Sequence, residues 1–214
     1  MIQRISQATH EEISLVKELD DLAFAGHQGI TIEELSQVIQ KGAIILGWNQ
    51  EDELIAESQV IFSKIDGCAD FPEDAAYCYG TAIHPNYQSQ GLGLTMAQEQ
   101  ERCARENGCS KLYMTIRVEN YPSISMRMKM GSLITGYDPL YYGDNPKSDA
   151  RLIVSKDLKM SRSSTVFSND VLVPVAFGCN YDASTHNRVQ KLVSEGYVGY
   201  KISREGITFG RLGS

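Results

Sequence analysis

Apolar and polar positions along this chain predict an ordered series of helices and strands. Apolar residues repeat at helical spacing after Thr9 and again after Thr31, and a glutamate follows each threonine three residues later, the pattern of a capping box. The order of predicted elements is β-α-α-β-β-β-α-β-α-β-β, which favours an α/β fold with a mixed, twisted sheet flanked by helices. The strands are expected at 2–7, 43–48, 53–62, 75–83, 111–118, 132–142 and 150–157, and the later helices at about 91–106 and 121–129.

The segment 161–214 predicts a smaller β-α-β-β extension, so we expect a main domain over 1–160. About 50 residues bury too little apolar surface to be stable alone, so the extension is expected to dock on the main sheet or on a second copy, as in a homodimer. Its predicted parts are a linker at 161–165, a strand at 171–177, a helix capped by Asp182 or Ser184, and a hairpin of 197–202 and 207–212.

Composition narrows the class of protein. The 214 residues carry a net charge of −7, which argues against a general nucleic-acid binder and suits a cationic substrate. No stretch approaches the roughly 18 apolar residues of a membrane helix, and the first residues lack the apolar core of a signal peptide, so a cytoplasmic protein is expected. The five cysteines have no paired spacing, so neither a disulfide framework nor a metal site is expected.

The segment 83–94, with the sequence IHPNYQSQGLGL, carries the clearest chemistry. It joins the predicted strand 75–83 to a long helix through a turn with two glycines, Gly91 and Gly93. Glycine lets the backbone approach a ligand, and the first N–H groups of a helix are unpaired and electropositive. The segment therefore predicts a phosphate-binding turn.

Two other phosphate motifs do not match. A Walker loop needs Gly-Lys-Ser/Thr after the glycines, but Leu94 and Thr95 follow Gly93. A dinucleotide fingerprint needs a third glycine where this chain has Met96. An unliganded strand-to-helix turn is the remaining structural alternative.

The chain resembles the GNAT superfamily of acyl-CoA-dependent N-acetyltransferases. The family signature, Arg/Gln-x-x-Gly-x-Gly/Ala after a strand, is matched by the segment 88–93, QSQGLG. Asn120 and the Lys-Met-Gly sequence at 129–131 fill a second family pattern, an asparagine after the fifth strand and a short helix ending in Lys-x-Gly. The order of elements over 1–158 is similar to the whole family fold.

The resemblance implies acetyl-CoA as the co-substrate. Backbone N–H groups of the turn would hold its pyrophosphate, backbone groups near Ala82 and Ile83 would bind the pantetheine and thioester, and Asn120 would contact the CoA arm. In the family the pantetheine inserts between the strands that correspond to 75–83 and 111–118. The implied pyrophosphate-binding residues are Gln88, Ser89, Gln90, Gly91, Leu92, Gly93 and Leu94.

The catalytic residues match the family less well. Many members carry a carboxylate base on the fourth strand, and the matching position here is Tyr77, expected on the same strand face as Tyr79 and Thr81. A packing role for the two tyrosines is an equal alternative. Carboxylates that could serve instead are Glu57, Glu73 and Asp74.

The family tyrosine that protonates the leaving thiolate is replaced by Arg127. Arginine is no ordinary acid, but it can stabilise a thiolate or bind a phosphate. Tyr121, Tyr141 and Tyr142 are possible replacements. His84 is expected to serve the turn rather than catalysis, and His186 to face solvent.

The resemblance thus implies an N-acetyltransferase that acts on an amine of a small molecule or a protein, by direct attack in a ternary complex. A non-catalytic acyl-CoA-binding or sensory module is the alternative. Transfer of a longer acyl chain is a third possibility.

Overall fold

The computed structural model describes residues 1–24, 29–65, 68, 70–141, 150–160, 165–175 and 181–213. The chain divides into two compact units, residues 1–112 and 113–214. The predicted boundary at 160/161 and most of the predicted linker 161–165 lie outside the described residues, so that division remains a prediction.

Unit 1 confirms the predicted order of elements. Thr31 caps the second helix, where its hydroxyl accepts a hydrogen bond from the Glu34 backbone N–H (3.1 Å) and the Glu34 carboxylate accepts from the Thr31 N–H (2.8 Å). Glu12 likewise accepts from the backbone N–H of Thr9 at 2.8 Å. The elements are β1 (Arg4–Gln7), α1 (Ile13–Phe24), α2 (Ile32–Lys41), β2 (Gly42–Trp48), β3 (Leu54–Ile61), β4 (Ala75–Ile83) and α3 (Leu92–Glu106).

The strands of unit 1 pair in the order β1-β2-β3-β4, antiparallel throughout. All eight residues of β3 are buried, which requires cover on both faces of the sheet. Helices α1 and α3 both contact β3 and β4 and supply that cover. The centre of β3 is therefore the interior of unit 1.

A β-bulge at Tyr79 corrects one prediction about β4. Gln59 pairs with Gly80 and Val60 with Cys78, so Tyr79 is the extra residue. Thr81 lies opposite Ser58 and Tyr77 opposite Ile61, and residues three apart on β3 point to opposite faces. The expectation that Tyr77 and Thr81 share a face was wrong, because the bulge interrupts the alternation.

Unit 2 contains most of β5 (Lys111–Arg117). Its strand order is β5-β7-β6-β9-β10-β8. Among the described helices, none combines the length and the apolar character that a bilayer crossing requires. The other elements are α4 (Tyr121–Lys129), β6 (Leu133–Asp138), β7 (Arg151–Asp157), β8 (Phe167–Val173), α5 (Ala183–Ser194), β9 (Val198–Ser203) and β10 (Gly206–Leu212).

The C-terminal extension continues a sheet of unit 2, because β9 pairs antiparallel with β6 at Gly199 and Ile134. A Cβ on Gly199 would lie 3.0 Å from the Ile134 side chain, so this pairing needs the glycine. Asp182 caps α5, since its carboxylate accepts from the Thr185 N–H at 2.7 Å. This sheet pairing is how the extension is attached within unit 2.

One strand of the extension was placed wrongly. The predicted strand 171–177 is β8 at Phe167–Val173, which begins four residues earlier and ends before Pro174. Proline has no N–H for a ladder hydrogen bond, so it favours a strand end. Residues 176 and 177 lie outside the described residues.

Candidate active site

Local hydrogen bonds and backbone dihedral angles determine the conformation of the turn between β4 and α3. Residues Pro85–Tyr87 form one 3₁₀ turn, and the His84 Nδ1 accepts a hydrogen bond from the Asn86 N–H at 3.2 Å. Ser89 (φ 60°) and Gly91 (φ 83°) then adopt the left-handed conformation that starts α3. A Cβ on Gly91 would meet no atom within 4 Å, so the positive φ, rather than packing, accounts for a glycine here.

Five consecutive backbone N–H groups in this turn, those of residues 89–93, form no hydrogen bond within the described part of the chain. The Gln88 N–H donates to Pro85 O at 3.3 Å, and the Leu94 N–H donates to Gly91 O at 3.0 Å. Unpaired N–H groups at the start of a 15-residue helix, where the helix dipole is positive, are the kind of donors that an anion requires.

The side chains of the turn point back to the protein. Gln88 Nε2 donates to Ile83 O at 3.2 Å, and Gln90 Nε2 donates to Asn86 O at 3.1 Å. These two bonds hold the turn without using its free N–H groups. Ala82 is buried and Ile83 half-buried at the end of β4, where the resemblance predicts thioester-binding backbone groups.

Tyr87 anchors the turn to the β2–β3 hairpin. Its hydroxyl accepts a hydrogen bond at 3.1 Å from Nδ2 of Asn49, a buried side chain. Asn49 in turn donates to Glu53 at 2.7 Å and accepts from the N–H groups of Glu51 and Glu53. The Tyr87 ring also meets the edge of the His84 ring at 5.5 Å between centroids. His84 thus contributes to the turn, as expected.

Two buried polar side chains, Glu57 and Gln59, lie on β3 inside unit 1. Glu57 is 0% exposed, and Gln59 Nε2 donates to both of its carboxylate oxygens at 3.2 Å. The pKa of Glu57 is raised to about 8, mainly by burial and also by the charge of Asp20, against the lowering effects of hydrogen bonds from Gln59 and the Ala82 backbone. A carboxyl group with this pKa can exchange protons near neutral pH.

Helices α1 and α2 add further carboxylates near Glu57. Asp20 is 4% exposed and accepts from the Ile30 N–H at 2.9 Å. Burial raises the pKa of Asp20 against the lowering effect of this hydrogen bond, and the charge of Asp21 adds to the rise. Glu34 accepts from the Tyr79 hydroxyl at 3.0 Å. Burial opposes its ionisation, but the hydrogen bonds from Thr31 and Tyr79 prevail and lower the pKa of Glu34.

Tyr77, the predicted base position, is 5% exposed and packed. Its ring stacks on Phe71 with centroids 5.5 Å apart and meets the edge of Tyr79 at 6.3 Å. Its cross-strand partner Ile61 places it on the Glu57 face of the sheet. A catalytic role for Tyr77 remains a prediction, and packing accounts for its position.

The other predicted carboxylates lie elsewhere. Asp74 accepts a 2.5 Å hydrogen bond from the Ser110 hydroxyl, and Glu73 is exposed in the loop before β4. Neither interacts with Glu57 in any described contact. Glu57 is therefore the candidate that the structure places in a chemically distinctive environment.

In unit 2, Asn120 caps α4, and its Oδ1 accepts from the Ser123 N–H at 3.2 Å. Arg127 lies on the same helix, 5% exposed. Tyr141 lies under the Arg151 guanidinium at 5.7 Å, and Tyr142 is outside the described residues. The predicted roles of Asn120 and Arg127 remain predictions.

His186 does not simply face solvent. Its ring lies 5.6 Å from the Tyr137 ring and 5.9 Å from the Tyr181 ring, and its Nδ1 is hydrogen-bonded to the Tyr137 hydroxyl. Burial lowers the pKa of His186. The expectation failed because β6 packs against α5, which sequence periodicity does not show.

Sequence reasoning missed Gln59 and Asp20. A signal existed for Gln59, because three consecutive polar residues, Glu57, Ser58 and Gln59, interrupt an otherwise apolar strand, and the first and third share one face. Two polar side chains on one face of a buried strand indicate a polar interior group. Asp20 carried no such signal, since acidic residues are common on exposed helix faces.

Comparison with known proteins finds acetyltransferases by both sequence and structure. The acetyltransferase (GNAT) family profile matches residues 15–131. A Bacillus subtilis (strain 168) protein assigned as ribosomal protein bS18 alanine N-acetyltransferase is 32% identical over 72 residues, 34% of this chain and 48% of the relative. The chain thus spans about half the length of that curated relative.

Solved structures share the fold at low identity. The Escherichia coli ribosomal-protein-S18-alanine N-acetyltransferase has a TM-score of 0.60 at 16% identity, over 77% of this chain and 99% of that one. An acetyltransferase from Salmonella typhimurium, determined with acetyl-CoA, has a TM-score of 0.56 at 14% identity, over 74% and 95%. These likenesses establish the fold.

Proposed function

Because the chain belongs to the GNAT acetyltransferase family, we propose that it transfers the acetyl group of acetyl-CoA to an amine by direct attack in a ternary complex. The observation that carries the proposal is the run of five unpaired N–H groups at residues 89–93, at the start of α3. The family uses acetyl-CoA, and this turn supplies the donors that a pyrophosphate needs.

The proposed cofactor contacts are mainly made by the backbone. The unpaired N–H groups of residues 89–93 face the pyrophosphate, and the dipole of α3 adds to the attraction. Backbone groups of Ala82 and Ile83 bind the pantetheine and thioester, where a donor stabilises the oxyanion that forms on attack. Asn120 is proposed to contact the CoA arm, as the resemblance implies.

The acceptor is proposed to be an amine of a small molecule or of a protein. An alkyl ammonium group has a pKa near 10.4, so it must lose a proton before its nitrogen can attack the thioester. The named activities of the relatives in Bacillus subtilis and Escherichia coli both involve an alanine amino group. Acetyl-CoA supplies the activated acyl group, and the protein supplies binding, orientation and removal of that proton.

Two side chains, Arg127 and Glu57, are proposed to act on the leaving thiolate and on the proton of the amine. Arg127 is buried on α4 and is the candidate to stabilise the leaving thiolate electrostatically. Glu57 is a candidate to take the proton of the amine. Tyr77, packed on the same sheet face, is proposed to shape the site.

Release of free CoA tests the proposed function. The purified chain is mixed with acetyl-CoA and a panel of polyamines, amino acids, aminoglycosides and peptides with a free N-terminus. Release that depends on one of these amines and exceeds the hydrolysis rate supports the proposal. Tight acetyl-CoA binding in calorimetry, with no amine-dependent release across the panel, would favour the non-catalytic binding module instead.

A further inference from the structure

Gln100 is a polar residue on the buried face of α3, and its side chain is 0% exposed. Burying an amide costs free energy unless its polar atoms are hydrogen-bonded, so packing alone would favour an apolar side chain at this position. Gln100 therefore requires hydrogen-bond partners inside unit 1. The other buried residues of this helix, which form the same stripe at helical spacing, are Leu92, Met96, Ala97, Cys103 and Ala104.

The Gln100 amide joins β3 and β4 at the bulge. Its Nε2 donates to the backbone carbonyl of Gln59 on β3 at 2.9 Å and to that of Gly80 on β4 at 3.2 Å. Gln59 and Gly80 are paired residues, and Tyr79, the extra residue of β4, directly precedes Gly80. A bulge interrupts the ladder of hydrogen bonds between two strands, and the two N–H groups of one amide bridge the strands at this interruption.

Other contacts fix the register of the bulge. The Thr81 hydroxyl also donates to the Gly80 carbonyl, at 2.7 Å. A Cβ on Gly80 would lie 3.1 Å from Gln59 Oε1, so the glycine leaves room for the Gln59 amide. The Tyr79 hydroxyl donates to Glu34, the residue that completes the capping box of α2. The bulge is therefore held by side chains from α2, α3 and both strands.

The hydrogen bond from Gln100 to Gly80 closes the chain segment 80–100. This segment runs from the end of β4 through the turn to the middle of α3. It contains the backbone groups that are proposed to bind the thioester, at 82–83, and those that are proposed to bind the pyrophosphate, at 89–93. One side-chain bond thus connects the two elements that carry the two proposed subsites.

The helix and the strand on either side of the turn are both regular. Between its first residue, Leu92, and Gln100, α3 rises about 12 Å. Between Gly80 and its last residue, Ile83, β4 extends about 10 Å. Because a shift of one residue in strand register turns every later residue to the other face, the position of the bulge decides how the end of β4 faces the turn.

We propose that Gln100 is a positioning residue for acyl transfer, which fixes the bulge of β4 against α3 and so holds the thioester of acetyl-CoA at the end of β4 while the pyrophosphate lies at the turn. This proposal rests on the proposed function. Gln100 is buried and acts through Gly80, without contact to the reacting atoms. The pantetheine of CoA is long and flexible, so binding of the pyrophosphate alone leaves the thioester in many positions. Misplacement by about 1 Å can lower a rate about 100-fold.

The test compares acetyl-CoA with 3′-phospho-ADP, the nucleotide part of CoA, which carries the pyrophosphate and lacks the pantetheine and thioester. Gln100→Met removes the amide donors at similar size. In calorimetry of the full chain, the affinity for 3′-phospho-ADP should stay unchanged, whereas the affinity for acetyl-CoA should fall about tenfold or more. With an accepted amine, kcat should fall about 10- to 100-fold.

Gln98→Met is the matched control, because it makes the same substitution on the exposed face of the same helix. Both affinities and kcat should stay at wild-type values in this variant. Equal weakening of both ligands by Gln100→Met would show that Gln100 supports only the fold of unit 1. Unchanged acetyl-CoA affinity and unchanged kcat would show that the bulge keeps its position without the amide. Either result would overturn the proposal.

An NMR measurement on the wild type covers the case in which Gln100→Met does not fold. The side-chain amide signals of Gln100 are assigned through bonds from its backbone. They should shift on saturation with acetyl-CoA and much less on saturation with 3′-phospho-ADP, because only acetyl-CoA reaches the end of β4. No shift with acetyl-CoA, or equal shifts with both ligands, would contradict the role of Gln100.

Failure of this proposal is distinguishable from failure of the proposed function. Amine-dependent CoA release at equal rates by the wild type and Gln100→Met would remove the role of Gln100 and leave the transferase proposal standing. Acetyl-CoA binding that weakens in Gln100→Met while 3′-phospho-ADP binding does not, with no CoA release for any amine of the panel, would support the positioning of the thioester by Gln100 and contradict the transfer.

Discussion

The amide nitrogen of Gln59 lies 3.2 Å from both carboxylate oxygens of Glu57, in the middle of a strand whose residues are all buried. The position of this pair on a buried strand accounts for the properties that the proposed chemistry requires of Glu57. The strand excludes water and raises the pKa of Glu57, while the amide holds the carboxylate in one orientation. If it acts as the proposed base, a carboxylate held in this way needs little reorganisation when an amine arrives.

Replacing Glu57 by glutamine is expected to lower kcat by about 10²- to 10⁴-fold, the range for loss of a general base. The KM for acetyl-CoA should stay the same, because Glu57 has no part in the turn that is proposed to bind acetyl-CoA. The wild-type kcat/KM should rise with pH through an apparent pKa near 8, and the variant should lack that step. Initial rates over a pH series measure both effects. An unchanged pH profile in Glu57→Gln would show that another group is the base.

The buried carboxyl group also predicts how stability depends on pH. The folded state keeps the proton of Glu57 up to about pH 8, whereas the unfolded chain releases it near the ordinary glutamate pKa of 4.5. This contribution is thus fully present below pH 4.5 and is lost as the pH rises to about 8, by at most roughly 1.4 kcal/mol per pH unit.

Urea unfolding of the wild type and Glu57→Gln at several pH values isolates this contribution. The free energy of unfolding of the wild type, relative to the variant, should fall between about pH 5 and pH 8. A difference that is constant over this range would mean that Glu57 titrates normally.

Gly91 offers a direct test of the phosphate-binding turn. Gly91→Val forces a β-branched residue to φ 83°, at a cost of about 1–2 kcal/mol, but a Cβ at this position meets no atom within 4 Å. The variant should fold and lose measurable acetyl-CoA binding in calorimetry. Ser89→Gly, at φ 60°, is the matched control and should retain binding with equal or greater stability. Unchanged affinity in Gly91→Val would refute the assignment of the turn.

Tyr87→Phe removes only the hydroxyl that accepts the hydrogen bond from Asn49. The ring contact with His84 stays, so the expected loss of stability is about 1 kcal/mol. We expect acetyl-CoA affinity to fall a few-fold, because the turn is less firmly held to the β2–β3 hairpin. Thermal unfolding and calorimetry measure the two effects, and a loss of stability with full affinity would show that the anchor does not serve binding.

Local sequence signals predicted most of the fold. The capping box of Thr31 and Glu34 is formed by residues only three positions apart, and the turn before α3 is likewise formed by a short continuous segment. Each pattern is therefore visible along the chain. The β8 strand was misplaced because its exposed central residues give little apolar signal, while the apolar residues near Pro174 give more.

The polar group around Glu57 could be predicted only in part. Glu57 and Gln59 are neighbours on one strand, but Asp20 comes from α1, and the bulge that places Gly80 under the amide depends on strand register. Contacts between elements distant in sequence follow from packing, and a single sequence does not encode them in a readable spacing. For the same reason the aromatic neighbours of His186 were not foreseen.

The most direct measurement of the central claim follows a radiolabelled acetyl group from acetyl-CoA to an amine. We expect label in an N-acetyl product with a primary amine acceptor, in amounts that match the CoA released, and little product with Glu57→Gln or Gly91→Val. Label that remains in acetyl-CoA, or appears only as free acetate, for every amine of the panel would contradict it.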